Sequence, residues 1–392
     1  YGDHRDLHRL IRRQRQMCIR DRYNSIIVRF SSEIGIKSKP VRKKYEKLVL
    51  ERIEEVMKES GINYTIEHKY GRIYIYADEP EKVIQRITKI FGVGSVSPAI
   101  RTSAIPDDII KASIALAEGI IKDKLTFKVA CRRVGEHPYT SSDIINMVGD
   151  AILRKFYGKV KVDLKNPNVE INIEIREDQA YVYVSRLNGV GGLPLGVQGK
   201  LVCLLSTGLD SPVACWYAMR RGSEIIPIHF KLSPFISEKS IEIAKRLAKK
   251  LFEWAIGMKE KKMYIVHGHG EVLEEIMEKV PRRYICVFCK RMMLRVADVI
   301  ARRENAYGIV TGDILGEQAS QTAENLMVIS EAVRLPIYRP LFGFDKTDVE
   351  KMARNIGTYE ISTSYVEPCK AVPPKPATKA KLSVILEYEN KL

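Results

Sequence analysis

The stretch with the clearest chemical potential is a short apolar run that leads directly into a turn of small polar residues. Residues 201–205 are Leu-Val-Cys-Leu-Leu, residues 206–211 form the turn, and a helical pattern starts at Pro212. An apolar run of this length favours a buried parallel strand, and Pro suits the first turn of a helix. A strand, a tight turn and a helix N-terminus together present backbone N–H groups to an anion, with the helix dipole behind them. The stretch therefore predicts a phosphate-binding turn, although the Walker A pattern is absent.

Asp210 lies in this turn, where a bound phosphate group would repel an isolated carboxylate. Mg²⁺ is held in proteins by one or two carboxylates together with substrate phosphates. We therefore expect Asp210 to reach the phosphates of a nucleotide through Mg²⁺.

Seven cysteines, an odd number, argue against a disulfide framework in a chain without a secretory signal. Cys286 and Cys289 form a C-x-x-C pair, and Cys369 follows later. Such a pair is typical of a redox centre or of half a metal site, and soft thiolates select zinc, copper(I) or iron–sulfur clusters. Three interpretations stay open: a cluster held by all three thiolates, a persulfide or disulfide relay, and inert thiols. The cysteines on predicted strands or helices are expected in the core: Cys131, Cys203 and Cys215.

The composition describes a multi-domain chain with a strong positive charge. Its 392 residues suggest two to four domains, and 65 Lys and Arg against 48 Asp and Glu give a net charge of +17. That imbalance favours a polyanionic partner, because neutralising phosphates releases counterions. No run approaches the ~18 consecutive apolar residues of a membrane helix, and no signal peptide is evident. We therefore expect a cytoplasmic protein that binds RNA or DNA and no membrane.

Residues 1–22 differ from the rest of the chain, with seven Arg and three Asp. The piece from Arg12 to Arg22 resembles a translated sequencing-adapter read-through, and the alternative is a basic arm that binds RNA. We expect a non-native extension here and leave Cys18 out of the functional argument.

A regular pattern begins at residue 23. Apolar residues at helical spacing predict a helix over residues 39–60, and alternation on both sides of Gly71 predicts a hairpin. With strands at residues 26–30 and 94–100 and a second helix from residue 80, the order is β-α-β-β-α-β, which is typical of a ferredoxin-like fold. We place this α/β domain at residues 23–86.

A basic strand is predicted at residues 125–134, and it carries Lys128, Arg132 and Arg133. The sequence Thr-Ser-Ser-Asp at residues 140–143 then caps a helix. The strand, the cap and the turn at residues 164–170 resemble a THUMP domain, a module of several tRNA-modifying enzymes, which we place at residues 87–187. The resemblance implies that this module grips the acceptor end of tRNA and that the three basic residues contact it.

From residue 188 a glycine-rich linker leads into strands that alternate with helices. This alternation predicts a Rossmann-like parallel sheet over residues 188–392. Ligands of such sheets lie beyond the carboxyl ends of the strands. His229 and Phe230 end a predicted strand, so we expect them to flank the base of the nucleotide.

The phosphate-binding turn resembles the Ser-Gly-Gly-x-Asp-Ser loop of the PP-loop ATP pyrophosphatases. Ser206, Gly208, Asp210 and Ser211 match, whereas Thr207 replaces the usual first Gly. The resemblance implies cleavage of ATP to AMP and pyrophosphate, with adenylation of a substrate oxygen. Thr207 adds a Cβ but keeps its backbone N–H, so we expect the loop to work. The alternative is a decayed loop in a non-catalytic RNA-binding protein.

Three more segments are similar to those of the tRNA 4-thiouridine synthetases, which are tRNA sulfurtransferases: residues 290–295, 312–322 and 369–380. With the preceding domains, this resemblance covers the chain from residue 23 onward. It implies that ATP adenylates the C4 oxygen of the uridine at position 8 of tRNA and that a sulfur nucleophile then displaces AMP. Thiolation of another tRNA base is the alternative. The predicted ATP contacts are Leu204, Leu205, Ser206, Gly208, Asp210, Ser211, His229, Phe230, Lys290, Arg291, Gly312 and Gln321.

The source of sulfur varies within this family. Bacterial members often append a rhodanese domain with a persulfide-carrying cysteine, and we expect this chain to have the archaeal-like form without it. That form has a C-x-x-C and a late cysteine associated with an iron–sulfur cluster. The resemblance thus implies that Cys286, Cys289 and Cys369 hold a [4Fe–4S] or [3Fe–4S] cluster and act with Asp210 in catalysis. It also implies sulfide or a cysteine-desulfurase-type carrier as the sulfur donor, and a homodimer, since family members are often dimers.

Overall fold

The computed structural model describes residues 23–364 and 368–391, and the chain divides into two compact units between Gly192 and Leu193. The predicted extension at residues 1–22 lies outside the described residues. Within the described part, no helix combines the length and the apolar content that crossing a bilayer requires.

The N-terminal unit begins with four antiparallel strands and the helices that connect them. In chain order the elements are β1 (Ser25–Phe30), α1 (Ser32–Gly35), α2 (Lys39–Ser60), β2 (Tyr64–Lys69), β3 (Arg72–Ala77), α3 (Glu81–Ile87) and β4 (Val93–Ser103). The strands lie in the order β2-β3-β1-β4, and every neighbouring pair is antiparallel. This is the ferredoxin-like arrangement that the sequence predicts.

The second half of the N-terminal unit extends the same sheet. Its elements are α4 (Pro106–Ile120), β5 (Leu125–Val134), α5 (Ser141–Lys155), β6 (Val160–Val162), β7 (Val169–Arg176), β8 (Gln179–Tyr183) and β9 (Leu187–Asn188). Strand β5 is parallel to β6 and β7, whereas β8 is antiparallel to β7 and to β4. Because β4 also pairs with β1, one strand joins both halves into a nine-stranded sheet. The predicted boundary between residues 86 and 87 lies just ahead of this shared strand.

Side chains reinforce the sheet and start its helices where the sequence predicts. The Glu174 carboxylate on β7 is buried and lies 2.9 Å from Nε of Arg72 on β3, so an ion pair links the two halves. At the start of α5, the Asp143 N–H donates to the Thr140 hydroxyl over 3.2 Å, and the Thr140 N–H donates to the Asp143 carboxylate over 2.7 Å. This reciprocal capping box confirms the predicted start of the helix.

In the described part of the C-terminal unit, five strands form a sheet and are all parallel to their neighbours. Its elements are β10 (Lys200–Leu204), α6 (Asp210–Arg220), β11 (Glu224–Phe230), α7 (Lys239–Phe252), β12 (Tyr264–Val266), α8 (His269–Lys279), α9 (Ile285–Arg303), β13 (Ile309–Val310), α10 (Ala323–Ser330), β14 (Ile337–Tyr338), α11 (Lys346–Ile356), α12 (Tyr359–Ser362) and α13 (Leu382–Glu389). The strand order is β12-β11-β10-β13-β14, which confirms the predicted Rossmann-like parallel sheet.

The direction of strand addition reverses beside β10. From β10 the chain moves outward to β11 and β12, and it then returns to the other side of β10 to add β13 and β14. The loops after β10 and β13 therefore border the crevice where doubly wound sheets bind ligands. These loops touch, because a Cβ added to Gly312 would lie 2.8 Å from the Ser211 nitrogen and 3.0 Å from the Asp210 carbonyl carbon. Only glycine leaves room for this approach.

Gly312→Ala is expected to push the two loops apart and to lower the free energy of unfolding by about 1–3 kcal/mol, the usual cost of overpacking. Gly343→Ala is the control, because an added Cβ there meets no atom within 4 Å. Chemical denaturation of both variants measures the difference. Equal stability of the two variants would show that the loops accommodate the extra methyl group.

Candidate functional site

The loop after β10 is held in shape by two serine hydroxyls. The Ser206 N–H donates to the Ser211 hydroxyl over 2.9 Å, and the two hydroxyl oxygens lie 3.0 Å apart. The Gly208 N–H donates to the Ser206 hydroxyl over 3.2 Å. These bonds fold the loop over the first turn of α6, which begins at Asp210. The positive end of that helix therefore faces the space that the loop encloses.

His229 supports the loop from below. Its Nδ1–H donates to the Leu205 carbonyl oxygen over 2.9 Å, and its Nε2 lies 3.4 Å from the Ser240 hydroxyl. Burial lowers the pKa of His229, so the imidazole is neutral and Nε2 accepts the hydroxyl proton. Phe230 is buried as well. The predicted base-flanking pair thus lies in the core beneath the loop, beside Leu204, which ends β10, and Leu205, which follows it.

Asp210 takes part in an ion-pair network that the sequence did not reveal. The Lys346 ammonium donates to Oδ1 of Asp210 over 2.9 Å and to the Glu317 carboxylate over 2.7 Å. Burial raises the pKa of Asp210, Lys346 opposes this, and the Glu317 and Asp313 carboxylates add to the increase. Lys346 is the first residue of α11 and is separated from Asp210 by 136 positions in sequence. No motif marked it.

The Asp313 carboxylate accepts hydrogen bonds from side chains of several elements. Its Oδ1 accepts from the Lys290 ammonium over 3.0 Å and from the Gln321 amide over 3.4 Å. Its Oδ2 accepts from the Thr311 hydroxyl over 2.7 Å and from Nε of Arg339 over 3.3 Å. Burial alone would raise the pKa of Asp313, but Lys290, Thr311 and Arg339 outweigh it and the pKa falls. Asp313 lies within a segment that the sequence marked, although it was not itself a predicted contact.

The side-chain carbonyl oxygen of Gln321 accepts no hydrogen bond from the described residues. Its amide nitrogen is committed to Asp313, while Oε1 is buried and has no hydrogen-bond partner among the described residues. A buried carbonyl oxygen of this kind is costly unless a ligand donates to it. The predicted ATP contact at Gln321 therefore has a structural reason.

Arg291 requires a correction. Its guanidinium is fully buried, and its Nε and Nη2 donate to the Glu389 carboxylate over 2.7 and 2.8 Å. Nη2 also donates to Glu331 over 2.9 Å, and Nη1 donates to the Val328 carbonyl oxygen. Arg291 thus connects α9 to α10 and α13. Its guanidinium has no free face for phosphate, which contradicts the predicted nucleotide contact. Successive helical residues point about 100° apart, which is why Lys290 faces the crevice and Arg291 does not.

The three candidate cysteines lie in one neighbourhood. Cys286 and Cys289 occupy the first two turns of α9, and the Lys370 N–H next to Cys369 donates to the Phe235 carbonyl oxygen over 3.0 Å. Burial raises the pKa of the Cys289 thiol to about 12, and the nearby Cys286 and Cys369 add to the increase. Burial and Cys369 also raise the pKa of Cys286. All three residues are partly exposed, whereas Cys203 and Cys215 are in the core.

His269 adjoins this group and was not predicted. Its Nε2 lies 3.4 Å from Sγ of Cys289, and burial lowers the pKa of the imidazole to about 4. Across residues 23–364 and 368–391, no three Cys, His, Asp or Glu side chains stand together as ligands of a single metal ion. The thiolates that hold a polynuclear cluster lie farther apart than the ligands of one ion. This finding therefore argues against a mononuclear site and does not concern a cluster.

The three predicted RNA contacts on the basic strand β5 do not share one face of the strand. Consecutive strand residues point to opposite faces, so Lys128 and Arg132 share a face and Arg133 points away from it. Arg132 is exposed, and Lys128 pairs with Glu170 over 3.0 Å. Arg133 is half-buried and its Nη1 donates to the Gly135 carbonyl oxygen over 3.0 Å. Arg133 thus helps to hold its own loop.

Three family models match the chain. The thiamine biosynthesis protein (ThiI) family matches residues 196–392, the THUMP domain matches residues 104–185, and the ThiI ferredoxin-like domain matches residues 25–97. Together they span the two units that the fold defines.

Curated relatives and a solved structure match over nearly the whole length. A probable tRNA sulfurtransferase of Methanosarcina mazei is 40% identical over 373 residues, 94% of this chain and 91% of the relative. One of Methanothermobacter thermautotrophicus is 36% identical over 376 residues, 94% of each chain. A crystal structure of a 4-thiouridine synthetase in complex with RNA and with bound ATP is 34% identical, with a TM-score of 0.83 and 94% coverage of both chains. With this agreement in sequence, fold and domain order, the chain belongs to the ThiI family of tRNA sulfurtransferases.

Proposed function

We propose that this protein is an ATP-dependent tRNA sulfurtransferase that converts the uridine at position 8 of tRNA to 4-thiouridine. The observation that carries the proposal is the serine-braced loop at the sheet's reversal point, with Asp210, Lys346 and Lys290 around it. The same chain carries a THUMP domain, and a related 4-thiouridine synthetase binds RNA and ATP.

The first step is adenylation of the base. The C4 carbonyl oxygen of uracil attacks the α-phosphorus of ATP, the bond to the β-phosphate breaks, and pyrophosphate leaves. Negative charge grows on the leaving pyrophosphate, so donors fixed in advance lower the barrier. The loop backbone, the N-terminus of α6 and the ammonium groups of Lys290 and Lys346 supply these donors. Adenylation turns a poor leaving oxygen into a good one.

A magnesium ion fits the charge balance of this site. The network sets three carboxylates against three cations: Asp210, Glu317 and Asp313 against Lys346, Lys290 and Arg339. A site that is already neutral gains excess negative charge when a triphosphate enters it, and Mg²⁺ shared by a carboxylate and the phosphates offsets that charge. Asp210, whose pKa is raised by burial and by neighbouring carboxylates, would hold the ion.

The second step replaces oxygen by sulfur. A sulfur nucleophile adds to C4 of the adenylated base, and AMP departs with the former carbonyl oxygen. Burial raises the pKa of the Cys286 and Cys289 thiols, and neighbouring cysteines add to both increases, so these two thiols lose their protons readily only when a cation compensates the charge. This supports an iron–sulfur cluster held by the three thiolates over a relay that starts at Cys286 or Cys289, because a relay needs an accessible, low-pKa thiolate. Such a cluster would supply a soft iron site for inorganic sulfur, with sulfide or a desulfurase-type carrier as its source.

The reaction itself is tested with unmodified tRNA, ATP, Mg²⁺ and sulfide under anaerobic conditions. We expect AMP and 4-thiouridine to form together, with the thiolated nucleotide mapped to position 8. Thiolation at a different base would favour the second enzymatic interpretation. Absence of tRNA-dependent AMP would favour a non-catalytic RNA-binding protein.

Lys346→Met is expected to slow tRNA-dependent pyrophosphate release by about 10²–10³, because a fixed donor at a developing charge is typically worth that factor. Lys351→Met is the matched control, since Lys351 lies on the same helix in an exposed pair with Asp348. Retention of wild-type pyrophosphate release by Lys346→Met would show that the ammonium serves only Asp210 and Glu317.

Arg132→Ala is expected to weaken tRNA binding and to reduce the slope of log affinity against log salt by about 0.7–0.9 for each lost phosphate contact. Arg133→Ala should leave that slope unchanged, because its guanidinium is tied to the loop at Gly135. Binding titrations at several salt concentrations measure both variants. A slope that changes only in Arg133→Ala would place the RNA on the opposite face of β5.

Single Cys→Ser changes at Cys286, Cys289 or Cys369 are expected to remove iron and visible absorbance from anaerobically purified protein. They should stop 4-thiouridine formation but preserve ATP–pyrophosphate exchange, because the adenylation groups stay in place. Cys131→Ser, in the N-terminal unit, is the control. If the wild-type protein is colourless and iron-free and still thiolates tRNA with sulfide, the cluster hypothesis is wrong and the relay is favoured.

A further inference from the structure

The imidazole of His269 is buried beside a cysteine that the proposed function uses. Only 3% of the residue is exposed, and its Nε2 lies 3.4 Å from Sγ of Cys289. None of the sequence motifs includes His269. A polar side chain placed so deeply against a cysteine sulfur calls for an explanation beyond packing.

The ring is fixed from two sides. Phe230, at the end of β11, meets it edge-on with 5.0 Å between ring centres. The next residue, Gly270, lies so close to the Ser233 carbonyl oxygen that an added Cβ would be 1.9 Å from it. The first turn of α8 is therefore pressed onto the backbone after β11, and His269 has little freedom to move.

The same backbone segment also anchors the third cysteine. The Phe235 carbonyl oxygen accepts from the Lys370 N–H, the residue after Cys369. Residues 232–235 thus support His269 on one side and the Cys369 segment on the other, while α9 contributes Cys286 and Cys289. Three separate parts of the chain converge on one group of sulfur atoms.

We propose that His269 is a positioning residue for Cys289: through Nε2 it hydrogen-bonds Sγ and keeps that sulfur directed toward Cys286 and Cys369. The inference rests on the proposed function, since it assumes that these cysteines serve the sulfur-transfer step. Imidazole suits the task because a ring nitrogen accepts from a thiol S–H, or donates an N–H to a sulfur that has lost its proton. A hydrogen bond of this kind to a metal-bound or sulfur-carrying thiolate orients it and adjusts its reactivity.

The test compares two substitutions at His269 with the same two at His267, an exposed histidine two residues earlier. In His269→Gln the amide keeps a donor and an acceptor, whereas His269→Leu keeps the volume and loses both. The first readout is the alkylation rate of each cysteine by iodoacetamide in metal-free, reduced protein, followed by peptide mass spectrometry. The ratio of the Cys289 rate to the Cys286 rate is an internal measure that global unfolding does not mimic.

We expect this ratio to fall about tenfold in His269→Leu, because alkylation proceeds through the thiolate form and one lost hydrogen bond to that form is worth about this factor. In His269→Gln and in both His267 variants it should stay within about twofold of the wild type. A ratio unchanged in His269→Leu overturns the proposal. A rise in the rates of all cysteines together would reveal a packing role instead and also overturns it.

The second readout separates the two reaction steps. His269→Leu should lower 4-thiouridine formation while leaving ATP–pyrophosphate exchange near the wild-type rate, and His269→Gln should restore part of the thiolation. Equal losses in both steps would contradict a role at the sulfur. The alkylation ratio is measured without substrates, so it still judges His269 if the wild-type protein proves not to thiolate tRNA at all.

Discussion

The approach of two loop backbones at Gly312 is the constraint on which the C-terminal site depends. Because no Cβ intervenes, the loop after β13 lies directly against the first turn of α6. Asp313, the next residue, is thereby brought to the crevice, where Lys290 and Gln321 reach it from other elements. The packing at Gly312 therefore couples the loop after β10 to the hydrogen-bond network around Asp313.

Two carboxylates at this crevice have opposite electrostatic settings. Asp313 is surrounded by donors, so its pKa falls and it stays charged as an organiser of Lys290 and Arg339. Asp210 has one strong partner, Lys346, and its pKa rises through burial and neighbouring acids. A carboxylate that is short of positive charge is the one that a metal ion stabilises most. Environment, rather than residue type, therefore separates the carboxylate that organises its neighbours from the one that we propose as the metal ligand.

Much of the fold could be predicted from the sequence because its signals are local. The helix at Lys39–Ser60 and the basic strand at Leu125–Val134 have the predicted ends, and the strand at Glu224–Phe230 ends at the predicted residue. The partners that complete the site could not be predicted in this way. Lys346 meets Asp210 across 136 positions, and His269 meets Cys289 through a backbone contact at Gly270. Such pairings depend on how loops pack against each other, and the pattern of residues along the chain does not reveal that packing. The predicted nucleotide contact at Arg291 was wrong for a related reason. Residues that are adjacent in a sequence motif point to different faces of a helix.

The strand β4 has a consequence for how this protein can be divided. It pairs with β1 on one edge and with β8 on the other, so it belongs equally to the ferredoxin-like and the THUMP halves. Separating those halves would leave β1 or β8 with a bare edge of N–H and C=O groups, which invites association with other chains. The same cut would remove Arg72 and Arg29 from the buried Glu174 carboxylate, which would keep its pair with Arg176 on the same strand. A truncated form of this chain that is meant to keep the sheet intact must therefore retain all nine of its strands.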